Sequence, residues 1–452
     1  MPKVTFIAAL LASSFATPAL AADAAAVDVA AELAAMRARI AGLEAEVAAL
    51  KAARDAASAA PAATASASAA AAPAAAPAGG GVTFKPFGRL QYDVGLVESP
   101  SGVNDRGLGF GNEVRRARIG AEGNIPGGFG YKIEVDFANN DVEITDAFLS
   151  YKVSKGLALT LGQHNNFQSL EELTSSRFIS FLERAAFTDA FNFERRIGLS
   201  ATYAAGDFVA QGGVFTDNIE DLADAQDAVG LGDENDAASV DGRIVYAPKL
   251  GSTQLHLGAS AHWRDNGDTA AAGPATRYRQ RPFVHTSNTR FLATPALRVG
   301  TESDYGFEAA LIRGPAHAVA EAHWLDADTL TPGLSPNFFG GYAEIGYFLT
   351  GETRGYKGGR WDRTKVRRPV GSGGAGAFQI NLRYDYLDLA DDGINGGRQR
   401  GYQASLVWIA QDHVRFLLNY AHLRYDGAAI AAAGGDRDYG IDVFGARAQV
   451  DF

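Results

Sequence analysis

The sequence predicts an all-β transmembrane barrel of about 16 antiparallel strands preceded by an N-terminal α-helical coiled coil. Three observations carry that expectation. Period-two alternation of apolar and polar residues recurs from Val82 onward. No apolar run after the N-terminus approaches the roughly 18 residues that a membrane helix needs. The last stretch, Phe444 to Phe452, places Phe444, Ala446, Ala448, Val450 and Phe452 on one face. Lipid offers the backbone no hydrogen-bond partners, so a chain without such helices crosses a membrane only as a closed sheet.

Residues 1–22 read as a secretory signal: Lys3, then the short apolar stretch Val4 to Ala12, then the small-residue site Ala19-Leu-Ala21. Residues 23–57 read as a periplasmic coiled-coil helix. Val29, Leu33, Met36, Ile40, Leu43, Val47 and Leu50 alternate spacings of four and three, a heptad seam too narrow for one helix to bury alone. Residues 58–81 are almost wholly Ala, Pro, Ser and Gly and read as a flexible linker. Residues 82–452 are the barrel. Tyr131, Ile133, Val135 and Phe137 oppose Lys132, Glu134 and Asp136. Phe378, Ile380, Leu382, Tyr384 and Tyr386 oppose Gln379, Asn381, Arg383 and Asp385. Apolar faces with aromatics near the strand ends, set against polar and charged faces, fit a lipid-facing wall around a wet lumen.

Composition narrows the function classes. The chain has no Cys, which excludes disulfide frameworks and thiolate chemistry. Its net charge of −11 argues against nucleic acid as a partner. That sum does not fix the lumen, which a solute reads through its local field. There is no G-x-S-x-G elbow, and the eight histidines show no convincing metal-ligand spacing. No catalytic residue, cofactor or metal site is expected, and the chain is not expected to be an enzyme.

Basic clusters suggest selection of anions. A hydrated oxyanion entering a narrow pore loses solvation, which fixed cations and N–H donors must replace weakly enough for release. Arginine suits this through its permanent charge and planar donors. If Ala117, Ile119 and Ala121 face lipid, Arg116 and Arg118 face the lumen. Between Pro274 and Gly300 lie five arginines and no acid; spacing of two puts Arg277, Arg279 and Arg281 on one face of a strand. From Arg354 to Arg368, seven cations stand against Asp362 alone. Binding of anionic lipopolysaccharide is an alternative use of that last cluster.

Several stretches resemble the phosphate-selective porins of the O and P type. They are Val114-Arg-Arg-Ala-Arg-Ile-Gly120, Asp146-Ala-Phe-Leu-Ser-Tyr151, Leu161-Gly-Gln163, Ser169-Leu-Glu-Glu-Leu-Thr-Ser-Ser-Arg177 with Glu183-Arg184, and Leu349-Thr-Gly-Glu-Thr-Arg-Gly-Tyr-Lys357. The resemblance implies a trimeric barrel in the outer membrane with a periplasmic N-terminus and a third extracellular loop, from Phe167 to about Arg196, folded inward as the constriction. It implies that Arg115 and Arg116 stand at or near the constriction, that Ser175, Ser176 and Arg184 contact the anion with Arg177 beside them, and that Arg277, Arg279 and Arg281 form an arginine ladder. Lys357 and Lys365 resemble fifth-loop lysines that gather anions at the mouth. Glu172 stands where phosphate-specific members carry a lysine, and Thr145 stands at or beside a family aspartate with Asp146 adjacent. The carboxylate at 172 weakens the expectation of tight phosphate specificity.

The expected function is passive diffusion of small anions, phosphate or polyphosphate among them. Other readings are a general or sugar-type porin without anion preference, or an envelope tether to peptidoglycan through the coiled coil. Expected partners are outer-membrane lipid and lipopolysaccharide, two further copies of the chain, and the barrel assembly machinery through Phe452.

Overall fold

The computed structural model describes residues 81–220, 236–267 and 275–452; the expected signal, coiled coil and linker fall outside the described residues except for Gly81. Sixteen long strands run as an up-and-down antiparallel meander. They are β1 (Lys85–Val97), β2 (Gly109–Ile125), β3 (Phe129–Asp136) and β4 (Glu143–Lys152). Next come β5 (Leu157–Asn165), β6 (Arg195–Ala205), β7 (Phe208–Phe215) and β8 (Ala238–Tyr246). Then follow β9 (Thr253–Asp265), β10 (Val299–Arg313), β11 (Ala316–Thr329) and β12 (Asn337–Phe348). The last are β13 (Ala377–Asp391), β14 (Ile394–Gln411), β15 (Val414–Asp426) and β16 (Gly440–Asp451). The ring closes because β16 pairs with β1, from Arg89 opposite Asp451 to Val97 opposite Val443. Closure leaves no unpaired strand edge, as a sheet in lipid requires.

Alternation sorts the two faces. Along β13, Ile380, Leu382 and Tyr384 stand exposed on the outside, while Gln379, Asn381, Arg383 and Asp385 are buried inside. Aromatic contacts gather at both rims of the wall. Phe129–Tyr151, Phe208–Tyr246 and Phe378–Trp408–Phe416 lie at the end that carries residues 84 and 452, here the terminal end. Trp324–Phe339, Tyr384–Tyr402 and Tyr420–Phe444 lie toward the far end.

Connections at the terminal end are short, with one exception, and three long segments fold into the bore. The third far-end connection, 166–194, holds two short helices, Leu170–Leu173 and Ala186–Ala190. It crosses from β5 and β6 to β11, β13, β14 and β15. The fifth far-end connection, 266–298, packs Phe283 against Gly401 of β14. The exception is 349–376, where Trp361 N–H donates to Thr174 Oγ1 at 3.3 Å and Arg243 donates to the Gly359 carbonyl at 2.8 Å. Leu182, Phe187, Tyr278, Phe283 and Phe338 form part of an apolar core among these segments and the wall. The interior is therefore partly a packed plug, where the alternation alone suggested a wholly wet lumen.

Candidate constriction site

Two β-bulges shape the wall formed by β1 to β4. In the β1–β2 ladder Gln91 faces Arg116 and Tyr92 faces Val114, so Arg115 is an extra residue. A bulge gives two consecutive side chains the same side of the sheet, and Arg115 and Arg116 both turn inward. In the β3–β4 ladder Glu134 faces Asp146 and Val135 faces Ile144, leaving Thr145 as the extra residue. Thr145 and Asp146 are both buried on the inside. Arg116 and Arg118 lie on the same inner face of β2, and the bulge adds Arg115.

The inward-folded segment 166–194 is held by hydrogen bonds within itself and to the wall. Ser169, at φ +62°, accepts from the N–H groups of Glu171 and Glu172 and caps the first short helix. Its hydroxyl donates to Glu321, which also accepts from the N–H groups of Leu170 and Glu171 and from the Tyr342 hydroxyl, all at 2.7–2.9 Å. Arg184 donates to the carbonyls of Glu171, Glu172 and Thr174 at 2.9–3.1 Å and pairs with the Glu172 carboxylate at 3.4 Å. Ser175 and Ser176 are then presented to Arg89, whose guanidinium donates to them at 3.3 and 2.9 Å. Arg177 lies beside them, with Nε 3.1 Å from Ser175 Oγ and Asp451 at 3.4 Å.

Most cations here have a carboxylate. Glu134 is within 4 Å of Arg89, Arg118 and Lys132. Asp146 holds Lys132 and Arg195. Glu183 holds Arg115 at 3.0 Å and Arg447 at 3.3 Å. Burial alone would push the Glu183 carboxyl up, and Arg115 with Arg447 holds it well below the usual carboxylate range. Burial pushes the Glu172 carboxyl up, against the pull of Arg184, Arg195 and Arg116. Arg116 differs from its neighbours. It is 6% exposed, donates to Gln91 Oε1 at 2.9 Å, and has no carboxylate partner among the described residues.

The other expected residues lie elsewhere. Arg277, Arg279 and Arg281 belong to the inward-folded connection 266–298 and not to a barrel strand; only Arg279–Gln280 pairs, with Leu292–Ala293. Pro274 and Pro282 flank the run, and proline donates nothing to a ladder. Arg277 and Arg279 are exposed while Tyr278 and Gln280 are buried, and Arg281 approaches Asp189 at 3.5 Å. Lys357 and Lys365 are exposed on 349–376. Their expected place in the fifth loop is corrected: that segment joins β12 to β13 at the terminal end, where Arg363 pairs with Asp451. The fifth far-end connection is the arginine-bearing 266–298. Sequence reasoning missed Arg89, Lys132, Arg195, Arg415 and Glu321. Arg89 was findable, since Arg89, Gln91 and Asp93 alternate with Leu90, Tyr92 and Val94.

The profile of the phosphate-selective porin O and P family matches residues 84–452, which is most of the chain. The chain belongs to that family. An uncharacterized protein of Caulobacter vibrioides is 54% identical to this porin over 370 residues, covering 82% of this chain and 74% of that one. Porin O of Pseudomonas aeruginosa is 26% identical, covering 79% of this chain and 86% of its own. Among solved structures, OmpT of Vibrio cholerae superposes with a TM-score of 0.51 at 11% identity, and an anion-selective porin from Comamonas acidovorans with 0.50 at 14%. Each covers 82% of this porin and nearly all of the other chain, and at that identity the likeness shows the fold alone. The chain is an outer-membrane porin, a β-barrel channel.

Proposed function

We propose that this porin passes small inorganic anions, phosphate-like oxyanions among them, through a constriction built from Arg89, Arg115, Arg116, Ser175, Ser176, Arg177 and Arg184. The observation that carries the reading is Arg116, a buried guanidinium on the inner face that forms no ion pair among the described residues, beside which the bulge adds Arg115. Its paired neighbours lend N–H donors with little net charge. The Ser175 and Ser176 hydroxyls, fixed by Arg89, add neutral donors. Donors of this kind replace water around an anion without holding it tightly. Membership of the phosphate-selective porin O and P family supports the class of solute.

Glu172 beside Arg184 tempers the field, and the reading is a broad anion preference without tight phosphate specificity. Arg277 and Arg279 act as exposed cations on the far-end approach, and Lys357 with Lys365 at the terminal end. The whole reading has the terminal end facing the periplasm and three copies assembled as a trimer. Reversal potential across a planar bilayer in a chloride gradient is the test. The expected result is anion preference, with phosphate reducing the chloride current at millimolar levels. Cation preference overturns the proposal.

A general pore is the second reading. Buried carboxylates on the inner wall, such as Asp304, Glu308, Glu321, Glu344 and Asp385, favour it. The same measurement decides, because a general pore shows a reversal potential near zero.

A further inference from the structure

The outer wall changes character abruptly near the far end of β13 to β15. Residues that pair across these strands form horizontal rows. Ile380, Leu406 and Leu418 share an apolar row. Two rows closer to the far end lie Tyr384, Tyr402 and His422. The next outward-facing row is Tyr386, Arg400 and Arg424. Arg398, with Asp388 and Asp426 on either side, forms the row beyond.

Arg400 and Arg424 therefore stand directly opposite each other on neighbouring strands, an arrangement that repels. The acids nearby do not resolve it. Asp388 is taken by Arg398 at 2.7 Å, and Asp442 by His422 and Tyr420, each at 2.8 Å. Asp426 accepts from Nη1 of Arg400 at 2.8 Å, and that guanidinium makes no second hydrogen bond among the described residues. The Arg424 side chain is exposed and has no hydrogen bond or ion pair among the described residues. The corresponding outward row near the terminal end holds Phe378, Trp408 and Phe416 with no cation.

We propose that Arg400 and Arg424 bind the phosphate of a phosphorylated lipid. The tyrosine row marks the interfacial belt, so these guanidiniums lie at headgroup depth. Two forked donors side by side suit one phosphate. Below the tyrosine row, Leu382 and then Leu406 and Leu418 are exposed and offer a surface for acyl chains. A free anion gains nothing from that surface, whereas a lipid joins both. The proposal does not depend on which solute the bore passes.

The test uses the full chain folded into phosphatidylcholine vesicles doped with phosphatidic acid or with diacylglycerol, which has the chains but no phosphate. Thermal unfolding followed by circular dichroism is the readout, because a ligand of the folded state raises its midpoint. The expected result is a midpoint several degrees higher with phosphatidic acid than with diacylglycerol. Arg400→Gln/Arg424→Gln should lose most of that difference, and Arg424→Gln alone about half. Unchanged chloride conductance in each variant certifies the fold. An equal midpoint for the two lipids, or a difference that survives in the double variant, overturns the proposal. So does inorganic phosphate that reproduces the rise in undoped vesicles, which marks a free-anion site.

Discussion

The two sides of the constriction grip the same loop by opposite chemistry. On β10 to β13 the wall offers mainly carboxylates: Glu321 accepts from the loop's backbone and Ser169, Asp385 accepts from Ala186 N–H, and Asp304 from Gln168, with Arg383, which donates to Glu171, as the exception. On β1 to β4 the wall offers guanidiniums: Arg89 donates to Ser175 and Ser176, and Arg115 to Glu183. The acid side consumes loop donors and anchors the segment. The arginine side meets hydroxyls and carboxylates and keeps one guanidinium, Arg116, outside any ion pair among the described residues. Anchorage and selection are thus assigned to different walls of one ring, and each can be perturbed separately.

The largest effect is expected from Glu321→Ala. It strands the Ser169 and Tyr342 hydroxyls and two loop N–H groups in a buried setting. The loss should be about 3 kcal/mol or more, read as a lower thermal midpoint together with noisy, enlarged single-channel currents. Unchanged current noise would mean that the loop is held elsewhere. Arg116→Gln comes second and should leave the fold intact. Removing one charge from the narrow region should weaken anion over cation preference about fivefold, close to 1 kcal/mol at an effective dielectric nearer water than protein. An unchanged reversal potential removes Arg116 from the path.

Glu172 gives a smaller effect with a defined sign. Burial raises its pKa above the usual carboxylate value. As pH falls through that raised pKa the carboxylate is neutralised, Arg184 loses its partner, and the local field becomes more positive. Anion preference should therefore rise on acidification, earlier than ordinary carboxylates titrate. Glu172→Gln should carry the higher preference at neutral pH and lose the pH response, and Glu172→Lys should raise preference further. The smallest effect is expected from Arg277→Gln/Arg279→Gln, exposed cations away from the constriction. Screening over about 8 Å at physiological salt should confine their influence to low ionic strength, seen as reduced conductance in dilute chloride alone.

The fold was legible because the wall repeats one rule: outward Ile380, Leu382 and Tyr384 alternate with buried residues as simply in space as in sequence. The site was legible only in fragments. Arg115 and Arg116 stood out as neighbours, yet a period of two cannot place both inside; that needs an extra residue, which leaves no compositional mark. Arg277, Arg279 and Arg281 kept their alternation but belong to a loop, because period two describes any extended chain, paired or not. The carboxylates that neutralise the arginines lie far along the chain, as Arg383 and Glu171 do, and composition cannot pair them. Counting connections from the terminal end would have moved Lys357 and Lys365 to their true side, had the strands of residues 236–313 been delimited.

The seam between β1 and β16 has a kinetic consequence. Gln91 and Gln449, hydrogen-bonded across it, are 358 residues apart. Chain entropy grows only logarithmically with such a span, so bringing the two ends together costs about 3 kcal/mol more than joining a hairpin, a sum the ladder of paired residues readily offsets. Time is the scarcer quantity. Every other strand meets its neighbour promptly, while the first must wait, unmated and sticky along its rim, until the last arrives. A partly synthesised ring is therefore an aggregation hazard, and its survival calls for an escort that shields that rim until the circle is whole.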